Sequence, residues 1–199
     1  MRLYSYVVRY DIGFAPNPFH GWCTLATCKP QIRGGASIGD WIVGTGSKAK
    51  GLEGKLVYAM RVDETFSFDA YWSDPRFQRK RPDARGSLKF RYGDNIYHRN
   101  RRGSWEQADS RHSLDGGVPN PDHVARDTRC NAVLASRHFA YWGGQAKEIP
   151  TQFRNWNGVD ICVGGMGYRW RPFTDDMQSA FVQWIGALGP GYRGDPSDW

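Results

Sequence analysis

The stretch "GKLVYAMRVDETFSF", residues 54–68, decides the fold class. Leu56, Tyr58, Met60 and Val62 alternate with Val57, Ala59, Arg61 and Asp63, the period of two that belongs to a β-strand. Just upstream, "ASIGDWIVGTGSK" (36–48) turns at Gly-Asp, runs through Trp41, Ile42 and Val43, and ends in small residues. That pattern predicts a strand opening into a loop close to backbone or ligand. Residues 3–9, rich in aromatic and β-branched side chains, predict a first strand, which "DIGFAPNPF" (11–19) breaks with its Gly and prolines.

Further out the elements are shorter. Residues 24–29 read as a short helix stopped by Pro30, because a residue before proline is pushed out of the helical region. "FDAYWSDPRFQRK" (68–80) reads as a helix interrupted at Asp74-Pro75, residues 95–99 as a short strand, and the region of about 100–130, with 103–128 at its heart, as a loop-rich insertion. "NAVLASRHFAYWGG" (131–144) and "VDICVGG" (159–165) add strands. The clearest helix is "TDDMQSAFVQWIGALG" (174–189): Thr174 can cap it, two acids sit in its first turn, and Met177, Phe181, Trp184 and Leu188 share a face. No regular strand-helix-strand rhythm appears. The expectation is therefore α+β, one compact domain over residues 1–199, with short helices and a C-terminal helix flanking a mixed or antiparallel, barrel-like sheet.

The chain carries 27 Lys and Arg against 20 Asp and Glu, a net charge of +7, together with nine Trp. Excess arginine favours partners that bear phosphate, and so many rings either fill a core or meet flat partners. The N-terminus has charges at Arg2 and Arg9 and lacks the apolar run of a signal peptide, and no stretch reaches the ~18 apolar residues of a membrane span. A cytoplasmic protein with no membrane contact and with reduced cysteines is expected.

The four cysteines, Cys23, Cys28, Cys130 and Cys162, lack zinc spacing and read as packed thiols. The five histidines never fall at metal-pairing intervals. "DHVARD" offers Asp122, His123 and Asp127 to a cation, but a solvated loop is the better reading. No metal and no cofactor are expected. "CVGGMG" (162–167) matches neither a nucleophile elbow nor a phosphate loop. More informative are the aromatic and polar residues where strands give way to loops: Phe14, Asn17 and Phe19; Thr45, Ser47 and Lys48; Tyr97 beside His98 and Arg99; and Tyr141 with Trp142. If these ends converge, rings can stack on a base, amides and hydroxyls can read its edge, and Lys48 or Arg99 can hold phosphate.

The text "LYSYVVRYDIGFAPNPFHGWCTLATCKPQIR", continued by "GDWIVGTGSK", "FDAYWSDPRFQRKRP", "GDNIYHR" and "ASRHFAYWGG", resembles the nucleotide modification associated domain 2 family of bacteria and their phages. That resemblance implies a setting in DNA base modification or defence. More loosely, the Gly-Asp-hydrophobic layout of "IGDWIVGTGSK" followed by a strand and a Tyr-Trp-x-Asp-Pro segment is similar to PUA-like domains of the EVE and ASCH groups, small β-barrels that bind modified bases. Gly44-Thr45-Gly46 stands where the EVE pattern usually has a Tyr. The first expectation is a module that binds a nucleotide or a flipped, modified base, with DNA ahead of RNA and with proteins of a modification system as partners. The second is an enzyme altering such a base by hydrolysis or group transfer, with Lys48, Glu53, Asp94, His98 and His138 as acid-base candidates. A protein-interaction subunit is the third.

Overall fold

The computed structural model describes residues 1–165 and 167–199. In chain order its elements are β1 (Leu3–Val8), β2 (Cys23–Leu25), α1 (Pro30–Gly35), β3 (Trp41–Gly46), β4 (Lys55–Arg61), β5 (Glu64–Phe66), α2 (Phe68–Ser73), α3 (Leu88–Arg91), β6 (Tyr97–Arg99), β7 (Trp105–Gln107), α4 (Pro121–Thr128), β8 (Val133–Ser136), β9 (Phe139–Tyr141), β10 (Lys147–Glu148), α5 (Thr151–Arg154), β11 (Tyr168–Arg169), α6 (Asp175–Ala187) and β12 (Gly191–Tyr192). They form two compact units built from interleaved segments. Unit one takes Met1–Asp11, Ala36–Asp63 and Arg137–Trp199, and unit two takes Ile12–Gly35 and Glu64–Ser136.

Unit one is a mixed sheet in the order β11-β1-β3-β4-β9-β12, with β10 paired to the start of β4. Strands β1 and β3 run parallel from Leu3↔Trp41 to Val8↔Gly46, and β9 and β12 are also parallel; β3–β4 and β4–β9 are antiparallel. Leu56 to Met60 are all buried, as a central strand covered on both faces requires. Helix α6 adds Met177, Phe181 and Ile185 to a core with Leu3, Val43, Trp142 and Phe153. Thr174 Oγ1 accepts the Met177 N–H at 3.3 Å, the cap its sequence predicts. The α+β class holds, but the sheet does not close among the described residues. Its path ends in β11 and β12, two-residue strands with too little edge to carry the ladder round into a barrel.

Unit two is built on the antiparallel sheet β2-β8-β5 and the hairpin β6-β7, around a core that includes Phe14, Trp22, Phe68, Tyr71, Phe77 and Tyr97. Three local expectations change here and in unit one. Residues 23–25 form a strand against 134–136, and Pro30 opens a helix, where its missing N–H costs nothing. The supposed insertion holds β7 and α4, the latter capped by Asn120 Oδ1 at the N–H groups of Asp122 and His123, with Pro121 in the first turn. Asn-Pro-Asp was a readable helix start. Finally, 159–165 is no strand: Val159 makes only an isolated bridge to Trp156, and Ile161 hydrogen-bonds to Phe153 and to the Ser5 hydroxyl. Met166, within "CVGGMG", lies outside the described residues.

Candidate functional site

Unit two holds fifteen of the Lys and Arg residues against ten Asp and Glu, so +5 of the chain's +7 belongs to it. Within it, residues 13–22 are fixed by a buried cation. The Lys80 ammonium, fully buried, donates to Asn17 Oδ1 at 2.6 Å, Asn17 O at 2.9 Å and Trp22 O at 3.0 Å. Burial pushes this amine down to about 8, against the pull of Asp94. Asp94, equally buried, accepts from Thr24 Oγ1 at 2.7 Å and Tyr71 Oη at 2.8 Å, and burial raises its carboxyl. The Asn17 amide donates to Gly13 O and Tyr92 O, which ties the loop to the end of α3.

So held, the loop presents His20 in the left-handed region, at φ 59°. Its ring lies 4.8 Å from that of Phe90 and 6.4 Å from that of Phe19. The Nε2 atom is buried and has no hydrogen-bond partner among the described residues. Burial, reinforced by the charges of Lys80, Arg79 and Lys89, lowers the imidazole to about 4. It is neutral at pH 7. The Arg79 guanidinium lies 5.4 Å from the Phe90 ring and the Lys89 ammonium 5.9 Å from the Phe19 ring. Helix α3, which carries Lys89 and Phe90, also delivers Arg91 and Tyr92 to a hollow of about 230 Å³ lined with Asp109, Ser110 and Arg111. That volume is below the ~300 Å³ of small-ligand pockets and suits one ring or one phosphate.

The residues singled out from sequence divide between the units. In unit two, Phe14 is buried with its ring 4.7 Å from His112, Asn17 is consumed by the bonds above, and Phe19 stands in the His20 cluster. Tyr97 is buried and donates to Asp127 Oδ2 at 3.1 Å, while exposed Arg99 lies 4.5 Å over the Trp105 ring. In unit one, Thr45 Oγ1 donates to Tyr6 O and Tyr141 Oη to Asp11 Oδ1 at 2.6 Å; Trp142 is core. Ser47 is buried and Lys48 exposed.

The acid-base candidates have varied settings. Glu53 is exposed. His98 stacks on Trp72 at 4.0 Å and reaches Glu106 at 3.1 Å, and Arg81 covers Trp72 at 3.8 Å. His138 Nδ1 is 2.9 Å from Asp63 Oδ1. Among the described residues no group of three His, Cys, Asp or Glu is placed to hold a metal ion. No helix of the described residues is long and apolar enough to cross a membrane. His20, Arg79, Lys89 and Phe90 were missed in the sequence because the cluster forms only when α3 folds back on the loop. The run Phe19-His20-Gly21-Trp22 was its visible half.

The family model described as nucleotide modification associated domain 2 matches residues 1–199. The chain belongs to that family. Membership ties it to nucleotide modification and leaves the reaction open. No curated protein and no solved structure matches it.

Proposed function

We propose that the protein binds a nucleotide or a modified nucleobase, free or flipped from DNA, within a base-modification system, and that unit two is its binding element. The observation that carries this reading is the buried Nε2 of His20, without a hydrogen-bond partner among the described residues, ringed by Arg79, Lys80 and Lys89 and flanked by Phe19 and Phe90. A neutral imidazole can accept from or donate to a base edge, rings supply stacking, and the cations supply phosphate contacts. Arg91, Tyr92 and Arg111 extend the same chemistry along α3 and the hollow. Of the strand-end residues, Phe19 and Arg99 are retained as contacts in unit two, whereas on unit one only Lys48 is exposed and Thr45, Ser47, Tyr141 and Trp142 are buried supports. Phe14, Asn17 and Tyr97 support from behind.

The test is titration with nucleoside monophosphates and a single-stranded DNA oligomer at several salt concentrations, with the His20 ring followed by NMR. Bound phosphate raises the imidazole from about 4, because an anion there favours the imidazolium. Affinity falls with salt, and Arg79→Ala with Lys89→Ala weakens it. Absence of salt-dependent binding to every ligand would refute the reading.

A further inference from the structure

Cys28 occupies an unusual place in unit two. The chain leaves β2 at Leu25, and Cys28 and Lys29 both adopt left-handed conformations, at φ 58° and 40°, before α1 begins at Pro30. Two consecutive non-glycine residues in that region are uncommon and costly, and such strain clusters at active sites. This sharp strand-to-helix turn carries Cys28, a residue of intermediate burial.

A base and its orienting group face that thiol. His112 Nε2 lies 3.8 Å from Cys28 Sγ, and His112 Nδ1 lies 2.8 Å from Asp127 Oδ2. Asp127 also accepts from Tyr97 Oη at Oδ2, and at Oδ1 from the Cys28 N–H at 3.1 Å and from Arg126 Nε at 3.0 Å. Although burial alone would raise it, the bonds and charges of His112 and Arg126 hold this carboxyl at about 2. It is ionised and can only accept. His112 Nδ1 must therefore carry the proton, which leaves the Nε2 lone pair toward sulfur. Asp127 fixes the tautomer in which His112 is a base.

We propose that Cys28, His112 and Asp127 form a nucleophile, general base and orienting carboxylate for acyl transfer through a thioester on Cys28. His112 Nε2 takes the thiol proton as sulfur bonds to the acyl carbon of an ester, thioester or amide. The bond to the leaving group then breaks, and the imidazolium returns the proton to that group. Water attacks the thioester next and gives a proton to His112, and sulfur departs to recover the thiol. The net change is hydrolysis, with no external oxidant or reductant. Burial, then the charge of Asp127, raises the Cys28 thiol. The resting thiol thus keeps its proton, and the base acts during attack. Thr27, wholly buried beside Cys28, turns its hydroxyl to the Cys28 sulfur, a contact that favours the thiolate as attack develops.

This chemistry goes beyond nucleotide binding and does not rest on it. It is tested with p-nitrophenyl acetate and the full chain, no nucleotide present. Expected are a burst of p-nitrophenol and an acetyl group, located by mass spectrometry after acid quench, on Cys28 in preference to Cys130 and Cys162. Cys28→Ala abolishes the burst, and His112→Gln lowers the acylation rate by ~10²–10⁴-fold. Wild-type protein in which Cys28 is acetylated no faster than Cys130 and Cys162 overturns the proposal, a comparison independent of whether either variant folds.

Discussion

Replacing Lys80 with Met removes the ammonium that holds residues 13–22 while keeping most of the side-chain volume. Three hydrogen bonds from a charged donor, to Asn17 O, Asn17 Oδ1 and Trp22 O, are lost in a fully buried setting, although Asn17 O keeps the Thr24 N–H and Asn17 Oδ1 the Phe19 N–H. Each hydrogen bond to a charged group contributes about 1.5–3 kcal/mol. Against this, an amine pushed from 10.5 to about 8 reports that the fold holds the charged form at a cost of ~3 kcal/mol, which Met does not bear. The balance is a loss on the order of 3 kcal/mol, and at about 2–4 °C per kcal/mol a drop in Tm of roughly 6–12 °C. A pH signature accompanies it. Between pH 8 and 10.5 the unfolded chain keeps a proton on Lys80 that the folded chain has released, so wild-type stability rises with pH across that window. In Lys80→Met this increment is absent. Urea unfolding followed by Trp fluorescence at pH 7.5 and 9.5 measures both. A loss under ~1 kcal/mol with an unchanged pH increment would refute the buried-ammonium argument.

Gly44→Ala should destabilise unit one by about 1–3 kcal/mol, measured by thermal melts, because a Cβ there would stand 2.7 Å from Val8 Cγ2 and closer still to the Tyr58 ring. Thr174→Ala should cost about 1 kcal/mol in urea unfolding, since it deletes the α6 cap; Thr174→Ser should restore most of it. Asp63 accepts from the N–H groups of Arg137 and His138 and from the His138 ring, and these bonds outweigh burial to lower its carboxyl. Its stabilisation is present above the unfolded carboxyl range and fades as pH falls through the lowered value. Asp63→Asn should therefore flatten the acid limb of a stability profile.

What the sequence made legible was local. The alternation of β4 and the capped, amphipathic α6 are set by neighbours within a few residues, so α6 stands where residues 174–189 place it and β4 fills the first half of residues 54–68; the stretch is not one strand, because it breaks after Arg61 and its later part, β5, pairs with β8 in unit two. Strand β2 was mistaken for a helix because its state is decided by β8, more than a hundred residues away. The candidate sites failed to show for the same reason. His20 acquires its meaning from residues 79–90, and Cys28 from His112 and Asp127, across separations that no spacing rule spans.

The backbone passes between the two units at residues 11–12, 35–36, 63–64 and 136–137. Every segment of unit two has left the ribosome once Ser136 has, whereas unit one still lacks its last 63 residues, with β9, β12 and α6 among them. At about 5–20 residues per second, that is a lag of roughly 3–13 s. During it β1, β3 and β4 must wait without the helix that buries Leu3 and Val43. Birth order on the ribosome thus gives the thiol-bearing unit a head start, and leaves the exposed early strands of the other as the stretch of synthesis most open to aggregation.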